Sequence, residues 1–241
     1  MLPILHQDAH LIAIDKPAGL LVHRTGLDAG ETRFAVQLLR DQIGQPVWPL
    51  HRLDKGTSGV LLFALSAQVA GAVSSLFESN EGIAKTYRAV VRGWPPAEGV
   101  IDHPLTRLAD DARATARALT VQPARTRFRT LGRWAVPLPY GDFAQTRCAL
   151  LELQPETGRR HQLRRHCKHI GHPIIGDATH GKGPLNRALA GWLGLQRLWL
   201  HASTLALPHP VTGAPLLIEA PLGAEWALWQ AADISAPATD E

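Results

Sequence analysis

The run VLLFAL, Val60 to Leu65, constrains the fold of this chain more than any other stretch. Six successive apolar residues bounded by turn-forming GTSG and by Ser66 read as a buried strand. Directly before it, HRLDKGTSG sets one carboxylate, Asp54, between Arg52 and Lys55. By local pattern alone this is a charged turn ahead of a core strand. The same turn also places a carboxylate in a glycine-containing loop at the mouth of a sheet, where it can act as nucleophile or base.

Other elements follow from the same kind of pattern. LIAIDK and GLLVH read as strands flanking the KPAG turn. TRFAVQLLRDQIG has helical spacing and Gly44 as its stop. Ser66 can cap a helix whose Val69, Val73, Leu76 and Phe77 share one face. In IAKTYRAVVRG the alternation places Lys85 and Tyr87 on a common strand face. Residues 94–145, rich in Pro, Ala and Arg, read as weak strands and loops with a short helix around Arg113 and Arg117. CALLELQPETG is then a strand and turn, and RRHQLRRHCKHIG a helix with Leu163, Cys167 and Ile170 as its apolar stripe and Gly171 as its terminator. RLWLHASTLALPHPVTGAPLLIEA reads as a hairpin turning at Pro210 and Gly213, and the Ala-rich segment from residue 222 as a short helix with a frayed end. The pattern predicts an α+β domain around a largely antiparallel sheet.

With 241 residues, 45% of them hydrophobic and 19% charged, the chain has ample material for a core. It has no apolar run of eighteen residues and no basic and apolar leader, so neither a membrane partner nor a signal peptide is expected. The two cysteines, Cys148 and Cys167, make no disulfide framework and fit reduced thiols in the cytoplasm.

Net charge is only +4, but its distribution is uneven. GRRHQLRRHCKH packs Arg159, Arg160, Arg164, Arg165 and Lys168 around three histidines without one acidic residue, a face suited to phosphates. His161, His166, His169 and His172 include no i, i+4 pair, and no Cys or carboxylate joins them at a metal-ligand spacing. A basic helix whose imidazoles contact phosphates is the expectation, with no metal. GLDAGET and GKGPLN match neither nucleotide-binding glycine pattern, and there is no G-x-S-x-G elbow. Ser58 and Thr57 are expected to brace the Asp54 loop.

Three stretches in order, HRLDKGTSGVLLFALS, KTYRAVVRGW and TGRRHQLRRHCKHIGHPIIGDATHG, resemble the catalytic motifs of RluA-type RNA pseudouridine synthases. DKPAGLLVH and LWLHASTLALPHPVTGAPL extend the likeness over roughly residues 4–221. Within the family, HRTGLD, LRDQIGQ and GLQRLWLHAS are most similar to the group acting on uridine 65 of tRNA. The resemblance implies a single catalytic domain over residues 1–221 without an S4-type domain, then a C-terminal extension over 222–241. It implies a cofactor-free, metal-free isomerisation of uridine in tRNA: the N1–C1′ bond breaks, the uracil rotates, and C5 bonds to C1′. Attack by the carboxylate at C1′, attack at C6, and elimination through a glycal are all compatible with the motifs.

Residue by residue, the resemblance makes Asp54 the catalytic carboxylate, Tyr87 the group that stacks on the uracil, and Arg164 the partner of Asp54. Leu163 would pack against the base, and Arg52 would fill the space left by the flipped nucleotide. His51, Lys85, Arg160 and Arg165 are further substrate-binding candidates, and a monomer is expected. Lys55-Gly56 departs from the Arg-Asp or Arg-Pro of many relatives. The same chemistry on ribosomal RNA, or a non-catalytic RNA-binding role, would use the same basic face.

Overall fold

The computed structural model describes residues 1–23, 30–79, 82–107 and 120–231. Its elements are β1 (Ile4–Gln7), β2 (Leu11–Lys16), α1 (Ala35–Ile43), β3 (Trp48–Pro49), β4 (Ser58–Ala64), α2 (Ala67–Ser79), β5 (Ala84–Arg92) and β6 (Glu98–Asp102). There follow β7 (Leu105–Thr106), β8 (Val121–Gln122), β9 (Arg125–Val136), β10 (Thr146–Pro155), α3 (Gln162–His169), α4 (Gly183–Leu193), β11 (Leu200–Pro208), β12 (Pro215–Glu219) and α5 (Ala227–Ala231). Ten strands form one sheet in the order β1-β2-β4-β11-β5-β10-β9-β6, with β3 on β4 and β12 on β11. Every pairing between these strands is antiparallel except β4 with β11. Fold class and antiparallel character are as expected. No helix among the described residues is long and apolar enough to cross a membrane.

β4 explains why its sequence does not alternate. Every residue from Ser58 to Ala64 is buried. Val60, Leu62 and Ala64 join one core with Val69 and Val73 of α2, while Leu61 and Phe63 join another with Ala35 and Leu39 of α1. A strand covered by helices on both faces must be apolar at every position. The helix ends also behave as read: Ser66 Oγ accepts the Val69 amide (3.2 Å), and Gly44 closes α1 in the left-handed region at φ 72°.

Two expectations are corrected, and one helix lies outside them. GLLVH forms no strand. It holds only an isolated bridge from Leu21 to Phe34, because the Leu21 and Val22 carbonyls accept the Ala35 and Val36 amides at the start of α1. Residues 94–145 are more regular than expected, with β9 running twelve residues beside β10. Its outward positions are Arg125, Arg127 and Arg129, which pair with Glu156 and Glu152, so the strand lacks an apolar signature. Helix α4 was not foreseen, although Pro184 at its start and Gly194 at its left-handed end are ordinary boundary signals. The helix expected around Arg113 and Arg117, most of HRTGLD, and the frayed tail after 231 lie outside the described residues.

Gly59 sits where β4 meets β11 in parallel, at φ 106°, and a Cβ there would lie 2.2 Å from the Ala202 carbonyl oxygen. Gly59→Ala is therefore expected to lower the melting temperature by roughly 6–12 °C, about 3 kcal/mol of overpacking in a domain of this size. Gly71→Ala on α2, where a Cβ meets nothing within 4 Å, is the control and should be neutral or stabilising. Thermal melts followed by circular dichroism compare the two.

Candidate active site

The loop from His51 to Thr57 leads into β4, and its shape is held from several directions. The Thr57 amide donates to the Asp54 carbonyl (3.0 Å), closing a turn around the carboxylate. The Lys55 carbonyl accepts the Gly19 amide (2.8 Å) and Lys16 Nζ (3.3 Å). Lys16 is fully buried and also donates to the carbonyls of Pro17 (2.9 Å) and Leu20 (2.7 Å). Burial pulls its ammonium down to about 7, and the nearby Asp54 carboxylate opposes that fall. The KPAG turn is thus tied to the Asp54 loop through one buried cation.

Lys55 and Gly56, the departure from the family pattern, have local roles. Lys55 Nζ pairs with Glu31 (2.6 Å). Gly56 lies under Leu198, where a Cβ would come within 2.9 Å of the leucine side chain. Ser58 braces the loop end: its hydroxyl meets His201 Nδ1 (2.9 Å) and accepts from Arg197 Nη2 (2.8 Å).

Arg164, 110 residues further along the chain, reaches this loop from α3. Its Nη1 donates to Asp54 Oδ2 (2.8 Å), while Nε and Nη2 grip both oxygens of Asp177 (2.8 Å each). The Asp177 side chain is wholly buried and also accepts the amides of Thr179 (2.9 Å) and His180 (2.8 Å). Burial would raise the Asp177 carboxyl, but the Arg164 guanidinium and these amides hold it below the usual carboxylate range. The chain packs tightly here, since a Cβ on Gly176 would fall 1.7 Å from the Arg197 carbonyl oxygen. Asp177 carries the fork that aims Arg164, and nothing in its surrounding sequence marks it as more than a loop residue.

One oxygen of Asp54 is thereby held and the other is free for chemistry. The side chain is 29% exposed, so the carboxylate is only partly covered by the protein. Facing Oδ1 is His161 Nε2 at 3.7 Å. Tyr87 lies where the β5 core meets the β4 core, and its phenol is raised well above the ordinary range by burial and then by the Asp54 charge. At neutral pH Tyr87 keeps its proton, which suits a stacking platform or a donor better than a base.

The remaining expected residues are placed less uniformly. Leu163 is buried in the core beneath α3, with Tyr87 packed against the same cluster. Arg52 is exposed at the outer side of the loop, and Arg160 is half-buried next to His161. Arg165 Nη1 donates to the Thr106 carbonyl (2.9 Å), fastening the β7–β8 hairpin to α3. His51 accepts the Leu62 amide (3.1 Å) and stacks on Phe77 at 5.3 Å. Burial, then the Lys85 charge, pulls its imidazole down to about 3, so His51 is a neutral strut. Lys85 lies over the same Phe77 ring, 5.7 Å from its centroid.

The phosphate-contacting imidazoles are corrected in part. His166 is fully buried between Thr126 Oγ1 (2.9 Å) and the His103 carbonyl (3.0 Å), and His172 meets the Arg92 carbonyl (2.8 Å). His166 secures α3 to β9, and His172 ties the segment after the helix to β5, since inward polar groups need partners. Gln162 does the same, bonding Thr157, Arg159, Arg125 and Thr126. Among the described residues no group of three or more His, Cys, Asp or Glu side chains is arranged to hold a metal ion. A cavity of about 300 Å³ lies along β6, β9 and β10, and its lining includes neither Asp54 nor Arg164.

Comparison with known proteins adds a second line of support. The family model of RNA pseudouridylate synthases matches residues 10–169. A tRNA pseudouridine synthase C from Vibrio cholerae is 50% identical over 228 residues, covering 94% of this chain and 93% of the relative. Its namesake from Yersinia pestis is 49% identical over 230 residues, covering 94% and 88%. Among solved structures, human RNA Pseudouridylate Synthase Domain Containing 4 superposes with a TM-score of 0.69 at 29% identity, covering 95% of this chain and 92% of that one.

Proposed function

The chain belongs to the RNA pseudouridylate synthase family, and from that premise we propose that it isomerises a uridine of tRNA, at position 65, to pseudouridine with Asp54 as the reacting carboxylate. The observation that carries the assignment of Asp54 is its one-sided restraint. Arg164 holds Oδ2 at 2.8 Å, His161 Nε2 stands off Oδ1 at 3.7 Å, and the side chain keeps 29% of its surface exposed. The tRNA substrate rests on relatives at about half identity whose name specifies it.

C1′ of a stacked uridine is out of reach, so the nucleotide must leave the helix, at a cost of about a few kcal/mol. Arg52, exposed at the rim of the loop, is suited to fill the vacated space, since a guanidinium stacks and donates at once. The extruded uracil would lie against Tyr87 and Leu163, with the sugar facing Asp54 Oδ1. Cleavage of N1–C1′, rotation of the base and formation of C5–C1′ conserve every heavy atom. The only net change on the base is that C5 loses a proton and N1 gains one. Arg160, half-buried beside His161, and Arg165 of α3 would take backbone phosphates.

Incubation of the purified protein with an unmodified tRNA transcript, without added cofactor, is expected to yield pseudouridine at position 65. Mapping by carbodiimide modification and primer extension reads the result. No product on any tRNA overturns the proposal, and product on ribosomal RNA alone reassigns the substrate.

A further inference from the structure

His161 is the one non-glycine residue with a positive φ (54°) among the described residues. A β-carbon in that region is strained, and strain of this kind persists only where surrounding contacts hold it. His161 sits at the start of α3, yet its side chain makes no capping hydrogen bond there. It turns inward instead. Its Nε2 faces Asp54 Oδ1 at 3.7 Å, and its Nδ1 lies 3.0 Å from Nε2 of His180. The His180 amide is held in turn by Asp177, the residue that grips Arg164. Both oxygens of Asp54 therefore trace back to Asp177, one through Arg164 and the other through the two imidazoles.

The Nδ1–Nε2 contact carries one proton, and its donor decides what Asp54 meets. If His180 donates, the ring proton of neutral His161 stands on Nε2 and points toward the carboxylate. The opposite tautomer would set an imidazole lone pair against an anionic oxygen. The carboxylate favours the first arrangement. We propose that His161 and His180 form a coupled imidazole pair that orients the free oxygen of Asp54 for attack, His180 fixing the tautomer of His161, and that uptake of a proton by the pair switches the enzyme off. A cation beside Oδ1 would draw that oxygen away from the nucleotide, leaving Asp54 paired on both sides.

The groups facing the pair agree on the neutral state. Around His161 are Asp54 from the β4 loop, Arg164 and Arg160 from α3 and its approach, and His180. Around His180 are Asp177, Arg164, Lys168 and Arg165. Burial first holds both imidazoles below the usual histidine range; Asp54 and Asp177 oppose it, and the neighbouring arginines and Lys168 act with it. Both residues are positioning residues in this scheme, since neither needs to touch the substrate.

This inference rests on the preceding functional reading, and two measurements separate them. The first needs no RNA: ring nitrogen NMR of the free protein at neutral pH, assigned with His161→Asn and His180→Gln, should show the His161 proton on Nε2 and Nδ1 as an acceptor. The second is kcat and KM for tRNA between about pH 5 and 8, the range in which imidazoles titrate. The wild type should lose kcat on the acid side. His180→Phe should lower kcat roughly tenfold with KM little changed, far less than the ~10⁴-fold loss when a general base that meets the substrate loses its tautomer-setting partner, because His161 acts only through Asp54. His180→Gln, which keeps an N–H for His161 Nδ1 and cannot take a proton, should recover most of that loss and shift the acid limb. A neutral His161 with its proton on Nδ1 overturns the proposal, and so does a His180→Phe enzyme with wild-type kcat and pH profile. A wild-type protein that makes no pseudouridine overturns the functional reading, and the NMR result still judges the pair.

Discussion

Asp54→Asn is expected to abolish pseudouridine formation while leaving RNA binding intact. The loss should be on the order of 10⁴-fold or more, the scale seen when a group that reacts directly with substrate is removed. Asparagine is isosteric and its amide oxygen can still accept from Arg164 Nη1, so the loop has no reason to move. Stability should change by no more than about 1 kcal/mol, because the Asp54 side chain is partly exposed and Arg164 keeps both bonds to Asp177. Affinity for tRNA should be unchanged or slightly higher, since the substitution deletes a negative charge near incoming phosphates. Single-turnover mapping, filter binding and a thermal melt measure the three quantities. A variant retaining activity within tenfold of wild type would remove Asp54 from the chemistry.

The second large effect is on stability and activity together. Arg164→Met leaves the Asp177 carboxylate fully buried without its guanidinium, and breaking such a pair from one side costs about 3–5 kcal/mol. In a domain of this size that is a fall in melting temperature of roughly 6–20 °C. The sign of the pH dependence is a further check. In the wild type the Asp177 pKa is lowered, so its stabilising contribution is present at neutral pH and lost as pH falls through that lowered value. Without Arg164, burial dominates and the carboxyl is raised, so mild acid lets it take a proton and relieves the penalty. The gap between wild type and Arg164→Met should therefore narrow between about pH 7 and 5. Adding Asp177→Leu to Arg164→Met should restore part of the stability and none of the activity, because Asp54 still lacks its clamp. Arg164→Lys should also fail, since one ammonium cannot serve two carboxylates with the geometry of a planar fork. A melting temperature unchanged in Arg164→Met would show that Asp177 is satisfied by the Thr179 and His180 amides alone.

These two variants also mark the boundary of what the chain alone reveals. Asp54 and Arg164 stand in short motifs whose order along the chain is informative, so both could be named as candidates before any geometry was known. Asp177, in GDATHG, could not, because its role depends on complete burial of its side chain and on a guanidinium thirteen residues away. Lys16 shows the same limit. In DKPAG it reads as a charged residue before a turn, yet it is buried and bonds three carbonyls, one of them in the Asp54 loop. His51 fails in the other direction: beside Asp54 in sequence, it serves the Leu62 amide and the Phe77 ring.

Elements that bury one kind of face were legible. The run of β4, the caps of α1 and α2 and the hairpin of β11 and β12 follow from local periodicity and turn chemistry, which act over a few residues. β9 was not, because its outward arginines are neutralised by Glu152 of β10 and by Glu156 just beyond it, a pairing set by register and invisible in composition. By itself the sequence determined the α+β class and the buried strand behind the loop, and it pointed to Asp54 as the candidate carboxylate. Only the tertiary structure decided which oxygen of Asp54 is held and which faces His161. That choice arises from electrostatics between groups more than a hundred residues apart, which act only after the sheet has brought α3 against the loop.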